Sequence, residues 1–156
     1  MELGGFFMAH AVWSVSDGET LVPMLASESN QERKMTRLAH ERLKDSVAEG
    51  HSRLEANTDG FQRAAFIYDG YIHLEDRKTD ALIMTVIQYG SDGGTVQMAI
   101  PYKPASSGFA VHRPKFLSID GIGEEEVQTL GEAFFAGVDK HEEGSKVWSG
   151  HLDESR

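Results

Sequence analysis

Two apolar runs joined by a glycine-rich turn give residues 81–102 the clearest pattern in the chain. Residues 81–89 are apolar at both alternating sets of positions, as in a strand that is covered on two sides. Residues 95–103 alternate apolar and polar side chains, as in a strand with one wet face. Residues 90–94 between them tolerate positive φ. The stretch predicts the central hairpin of an antiparallel sheet.

Weaker strand patterns lie on both sides of this hairpin. Residues 6–16 alternate small and large apolar side chains, which predicts an N-terminal strand. Residues 63–74 predict a tight hairpin with Asp69-Gly70 as its two-residue turn. Residues 109–119 predict a last strand at an edge of the sheet, because they contain a proline.

Two segments have helical periodicity. Residues 29–50 begin with a Ser/Glu capping box and carry apolar side chains four residues apart. A second helix is predicted from Gly123, where three glutamates occupy the first turn and complement the unpaired N–H groups. Its apolar stripe contains Gly131 and is formed by Val127, Leu130, Phe134 and Val138.

The order of these elements predicts a single α+β domain. A curved antiparallel β-sheet meander would have two helices packed on one face. The domain would span residues 1–142, and residues 143–156 would form a polar, flexible C-terminal tail with Trp148 as its one large anchor.

Composition excludes several classes of protein. The chain has 156 residues, enough for one core, and no cysteine, which rules out disulfides, thiolate metal sites and a cysteine nucleophile. No run of 18 apolar residues occurs, and Glu2 stands where a secretory signal would carry positive charge. We therefore expect a soluble, cytoplasmic protein with no membrane partner.

The charge of the chain argues against nucleic acid as a partner. Aspartate and glutamate number 25 against 15 lysines and arginines, which gives a net charge of −10. A protein with this charge repels the phosphate backbone.

The seven histidines give no sign of a metal centre. Neither H-x-H nor H-E-x-x-H occurs, and no G-x-S-x-G elbow marks a nucleophile. We expect no metal and no cofactor, and the sequence names no catalytic residue.

One cluster of basic residues stands out in this acidic chain. Lys103, His112 and Arg113 lie on the last two predicted strands, and Tyr102 and Tyr71 add hydroxyl groups nearby. These five residues predict a ligand site for an anion such as a carboxylate or a phosphate. The alternative is an ordinary wet edge whose charges discourage strand addition.

Three functions remain open on these grounds. The first is a non-catalytic domain that binds a small apolar or anionic ligand between the C-terminal helix and the sheet. The second is a dimeric interaction or chaperone-like module, suggested by the doubly apolar residues 81–89. The third is a small cofactor-free enzyme, which would need a histidine beside a carboxylate in a polar pocket.

Overall fold

A curled antiparallel sheet is the centre of the fold. The computed structural model describes residues 1–30 and 32–156. Strands run in the order β2-β1-β3-β4-β5 across the sheet, and both β6 and β7 pair with β5. Their bounds are β1 Met24–Ser29, β2 Glu32–Arg37, β3 Arg63–Leu74, β4 Arg77–Gln88, β5 Gly94–Lys103, β6 Ala110–Val111 and β7 Lys115–Asp120.

Helices cover both faces of this sheet. The main core lies between one face and α1, with α3 and α4 packed on α1, whereas α2 packs on the opposite face. The predicted α+β class is confirmed, but the described residues form four α-helices where the sequence predicted two. They are α1 Glu2–Val15, α2 Leu43–Ala56, α3 Glu124–Lys140 and α4 Glu142–Gly150.

The predicted central hairpin is present as β4 and β5. Met84 pairs with Met98, and Leu82 pairs with Ile100. From Ala81 to Val86, both alternating sets of side chains of β4 are buried within this one chain. The doubly apolar pattern is therefore explained without a second subunit.

The N-terminal strand prediction is wrong, because residues 6–16 lie largely in α1. This helix is buried between the sheet and the two C-terminal helices, so it is apolar on nearly all sides. A helix of that kind has no single apolar stripe for sequence periodicity to detect.

The first predicted helix, residues 29–50, is also wrong in its first half. Ser29 and Glu32 are paired across the β1–β2 hairpin instead of forming a capping box. The residues of the edge strand β2 are largely exposed. Helix α2 begins only at Leu43 and continues to Ala56.

Asp69-Gly70 is not a turn. Strand β3 runs through it, and the hairpin turns at Glu75 and Asp76, whose φ angles are +51° and +62°. Asp69 points to the core face of the sheet, where the Tyr102 hydroxyl donates to both of its carboxylate oxygens at 2.9 Å.

Helix α4 occupies most of the segment predicted as a polar tail. Trp148 on this helix is 3% exposed and belongs to the main core. His141 begins the helix, because its Nδ1 accepts a hydrogen bond from the Gly144 N–H at 2.9 Å.

Glycines let α1 approach α3 and α4 backbone to backbone. A Cβ added at Gly5 would lie 1.8 Å from the Phe134 carbonyl oxygen, and one at Gly137 would lie 2.0 Å from that of Glu2. A Cβ at Gly144 would lie 2.4 Å from the Ala9 carbonyl oxygen. Glycine is required at these positions because of the close approach.

No helix among the described residues is long and apolar enough to cross a membrane.

Candidate functional site

An apolar cleft of about 520 Å³ lies between the C-terminal helices and the sheet. Helices α3 and α4 form one wall, β5 contributes the floor, and the chain around β7 forms the other wall. Its apolar lining is Met98, Pro114, Phe116, Gly131, Phe134, Phe135, Val138, Trp148 and Leu152. The sequence predicts a ligand-binding cavity in this layer, between the C-terminal helix and the sheet.

The cleft exists because only one half of α3 is seated in the core. Phe134 and Val138 in the C-terminal half are 0% and 3% exposed. Leu130 and Val127, one and two turns earlier, are only partly buried, although they belong to the same stripe. At Gly131 an added Cβ would meet no atom within 4 Å. The helix therefore stands off from its surroundings at this point.

Aromatic side chains dominate the walls. The rings of Phe134 and Phe135 lie 5.9 and 6.0 Å from that of Trp148, in edge-to-face geometry. Phe135 and Phe116 are each 42% exposed. Large apolar side chains this exposed around a concave surface are typical of ligand sites.

Arg113 is the only cation on the described lining of the cleft. Its Nε donates to the Arg156 carbonyl oxygen at 3.4 Å, and this is its one hydrogen bond to a described residue. The terminal N–H groups of the guanidinium are therefore available to an anionic ligand. Asp139 and Glu154 also line the cleft, so its charged side chains carry one positive and two negative charges.

The structure does not bring the five predicted ligand residues together. Arg113 lines the apolar cleft, whereas Tyr102, Lys103 and His112 line a separate polar pocket of about 280 Å³. Tyr71 lines neither cavity and is 53% exposed. Its ring is 4.2 Å from Nζ of Lys78, which does line the polar pocket.

The Tyr102 hydroxyl is committed to Asp69. Burial is the main cause that raises the pKa of the Asp69 carboxyl, and the Tyr102 hydrogen bond only partly offsets it. Burial, followed by the negative charge of Asp69, raises the pKa of Tyr102 far above its ordinary value. Tyr102 therefore stays protonated and donates to Asp69, which makes it part of the pocket wall and not a ready acid or base.

A histidine pair that the sequence analysis did not single out links α1 to the junction of α3 and α4. Because His141 Nδ1 accepts from the Gly144 N–H, the proton of the neutral His141 ring lies on Nε2. That nitrogen is 3.1 Å from His10 Nδ1 and donates to it, which leaves the His10 proton on its own Nε2. His10 Nε2 lies 3.4 Å from Nη2 of Arg37, which is also a donor.

These three contacts contain four donors and only two acceptors, so one contact joins two donors. With the tautomers given above, the facing donors are His10 Nε2–H and Arg37. If both rings took the opposite tautomer, the facing donors would be His141 Nδ1–H and the Gly144 N–H. Burial, then the positive charges that His141 and Arg37 can carry, lowers the pKa of His10. Sequence spacing could not reveal the pair, because its members are 131 residues apart and α1 reads as a strand.

Among residues 1–30 and 32–156, no three His, Asp or Glu side chains are grouped in a way that could hold a metal ion. A comparison with protein-family models gave no match. Comparisons with curated proteins and with solved structures gave none either.

Proposed function

We propose that the protein binds a small amphipathic anion in the apolar cleft beneath α3. The observation that carries this proposal is a half-open cavity of about 520 Å³ with aromatic walls and Arg113 at its rim. Ligand pockets in proteins typically measure about 300–1,000 Å³ and combine an apolar lining with a few polar groups.

The lining defines the class of ligand. Three phenylalanines and Trp148 offer ring faces and edges to an aromatic or branched apolar body. Arg113 offers a planar pair of N–H donors that matches a carboxylate. An aromatic or alkyl carboxylate meets both requirements, and its apolar body contributes most of the affinity because the protein is acidic overall.

Trp148 supplies a direct reporter of binding. The chain has two tryptophans, and Trp13 is 42% exposed beside His10, away from the cleft lining. In a Trp13→Phe background, the fluorescence of Trp148 reports on the cleft alone. We expect titration with an arylalkanoic acid to change this fluorescence in a saturable manner.

Two substitutions at Gly131 provide the test. Gly131→Leu places a large side chain in open space and should abolish the saturable change, whereas Gly131→Ala adds one methyl group and should preserve it. Both variants should stay folded, because a Cβ at this position meets no neighbouring atom. Equal binding by the two variants, or no saturation in the parent protein, would rule out the cleft as the site.

A dimeric interaction module remains a prediction, but a different strand now supports it. Burial of both faces of β4 removes its original basis, but Phe116 and Leu117 on the edge strand β7 are 42% and 47% exposed. Light scattering at high protein concentration decides the matter, and a strict monomer would remove this hypothesis.

A further inference from the structure

The polar pocket lies on the same face of β5 as the apolar cleft. Met98 lines the cleft and Tyr102 lines the pocket, so four residues of strand, about 13 Å, separate the two. The chain after α4 passes between them. Val111 N–H donates to the His151 carbonyl oxygen at 2.9 Å, and Asp153 N–H donates to that of Val111 at 2.8 Å.

The lining of this pocket is cationic although the protein is acidic. Its cations are Arg77, Lys78, Lys103 and Arg156, and its carboxylates are Asp80 and Asp153. In the described part of the chain none of the four cations forms an ion pair, whereas Arg33, Arg42, Arg63, Lys140 and Lys146 all do. Counting side chains alone, four cations against two carboxylates leave the lining with two positive charges in excess.

His112 is almost completely buried at the edge of this pocket, with 3% of its surface exposed. Its Nδ1 lies 3.2 Å from the Asp153 carbonyl oxygen, which can only accept, so Nδ1 carries a proton and donates it. Nε2 makes no hydrogen bond to any described residue. No polar side-chain atom in the described residues is sealed from solvent without a partner, so Nε2 opens to the pocket.

Tyr71 contributes to the site through Lys78. The Lys78 ammonium lies over its ring, which favours a fixed position for this cation without neutralising its charge. The Tyr102 hydroxyl already donates to Asp69 and needs no ligand. On this lining the side chains of the four cations, the Asp80 carboxylate and His112 Nε2 form no hydrogen bond or ion pair with a described residue.

We propose that this pocket binds a phosphate group, either as free phosphate or as a phosphate monoester. The dianion balances the two positive charges in excess, which a single carboxylate would not do. Lysine and arginine side chains are the common ligands of phosphate oxygens, and four of them line this pocket. This site is separate from the cleft and does not depend on the function proposed for it.

The test follows the ¹⁵N resonances of the His112 side chain at constant ionic strength. Inorganic phosphate and phenyl phosphate are titrated separately, and at least one should shift the Nε2 resonance in a saturable manner. Tighter binding of phenyl phosphate would identify the ligand as an ester, and equal or tighter binding of inorganic phosphate would identify it as the free ion.

Lys103→Gln should weaken the binding about tenfold, because one charged hydrogen bond is lost at an exposed position. Lys44→Gln removes the same charge from α2 on the opposite face and should leave affinity unchanged. Gly131→Leu, which fills the cleft, should also leave it unchanged. The phosphate site is ruled out if the Nε2 chemical shift changes linearly with the concentration of both probes. It is also ruled out if the two lysine variants lose the same amount of affinity.

Discussion

The two halves of α3 have the same apolar periodicity and opposite surroundings. In the C-terminal half, Gly137 allows backbone contact with α1, and Phe134 has no exposed surface. In the N-terminal half, Gly131 faces open space and the apolar stripe is only partly covered. Glycine thus serves close packing in one half and leaves room for a ligand in the other.

This difference separates stability from binding along a single helix. Substitutions near Gly137 should change the free energy of unfolding, and substitutions near Gly131 should change ligand affinity.

The largest effect is expected from Gly137→Ala. The new Cβ would lie 2.0 Å from the Glu2 carbonyl oxygen, and a backbone atom cannot swing aside as a side chain can. We expect a loss of about 3 kcal/mol or more in the free energy of unfolding. Urea denaturation followed by circular dichroism measures it, and a loss below about 1 kcal/mol would contradict the described contact between α1 and α3.

Arg113→Ala should weaken binding of an arylalkanoic acid about tenfold and leave stability unchanged, because Arg113 is exposed and its one hydrogen bond to a described residue is long, at 3.4 Å. Calorimetric titration gives the affinity. The uncharged carboxamide of the same ligand is the control, and the variant should bind it as well as the parent protein does.

Glu154→Gln, which removes a carboxylate from the lining, should strengthen binding of the acid.

Gly131→Ala should raise the free energy of unfolding by about 0.5–1 kcal/mol, because alanine has the better helix propensity and its methyl group meets nothing. Alanine should therefore raise the free energy of unfolding at position 131 and lower it at position 137. A destabilised Gly131→Ala variant would mean that the helix does not stand off at this point.

The smallest effect concerns pH. The pKa of His10 is lowered in the folded protein, chiefly by burial, so below its ordinary value of 6.5 the unfolded chain binds a proton that the folded chain does not. The contribution of His10 to stability is thus complete above 6.5 and decreases as the pH falls. We expect His10→Gln to lose less stability than the parent protein between about pH 7.5 and about pH 5.5. An equal loss in both proteins would mean that His10 is not responsible.

Sequence periodicity predicted the elements that have one buried face. Helix α3 shows a single apolar set and was located. Strand β5 was located as well, but its predicted wet face is covered at Ala99, which has no exposed surface, and at Pro101, which is buried. Strand β4 was also located, because glycines mark its end and its run is too short for a buried helix. Periodicity failed for α1, which is buried on nearly all sides, and for β2, whose side chains are mostly exposed.

The candidate sites depend on contacts between residues that are distant in the sequence, and sequence periodicity does not report such contacts. The sequence placed a cavity in the layer of the C-terminal helix, yet it could not show that the halves of that helix differ in depth. It grouped Arg113 with His112, although these two residues of the segment between β6 and β7 line different cavities. Arg77 and Lys78 join the polar pocket only because β3 continues through Asp69-Gly70 and moves the turn to its far end.

The most direct test of the account is a chemical-shift map of the protein during titration with an arylalkanoic acid. We expect the largest changes at the Gly131 amide, the Trp148 indole N–H and the Arg113 side chain, all on the lining of the cleft. Changes confined to residues outside this lining, or no saturable change at these three groups, would contradict the proposal that the cleft binds a ligand.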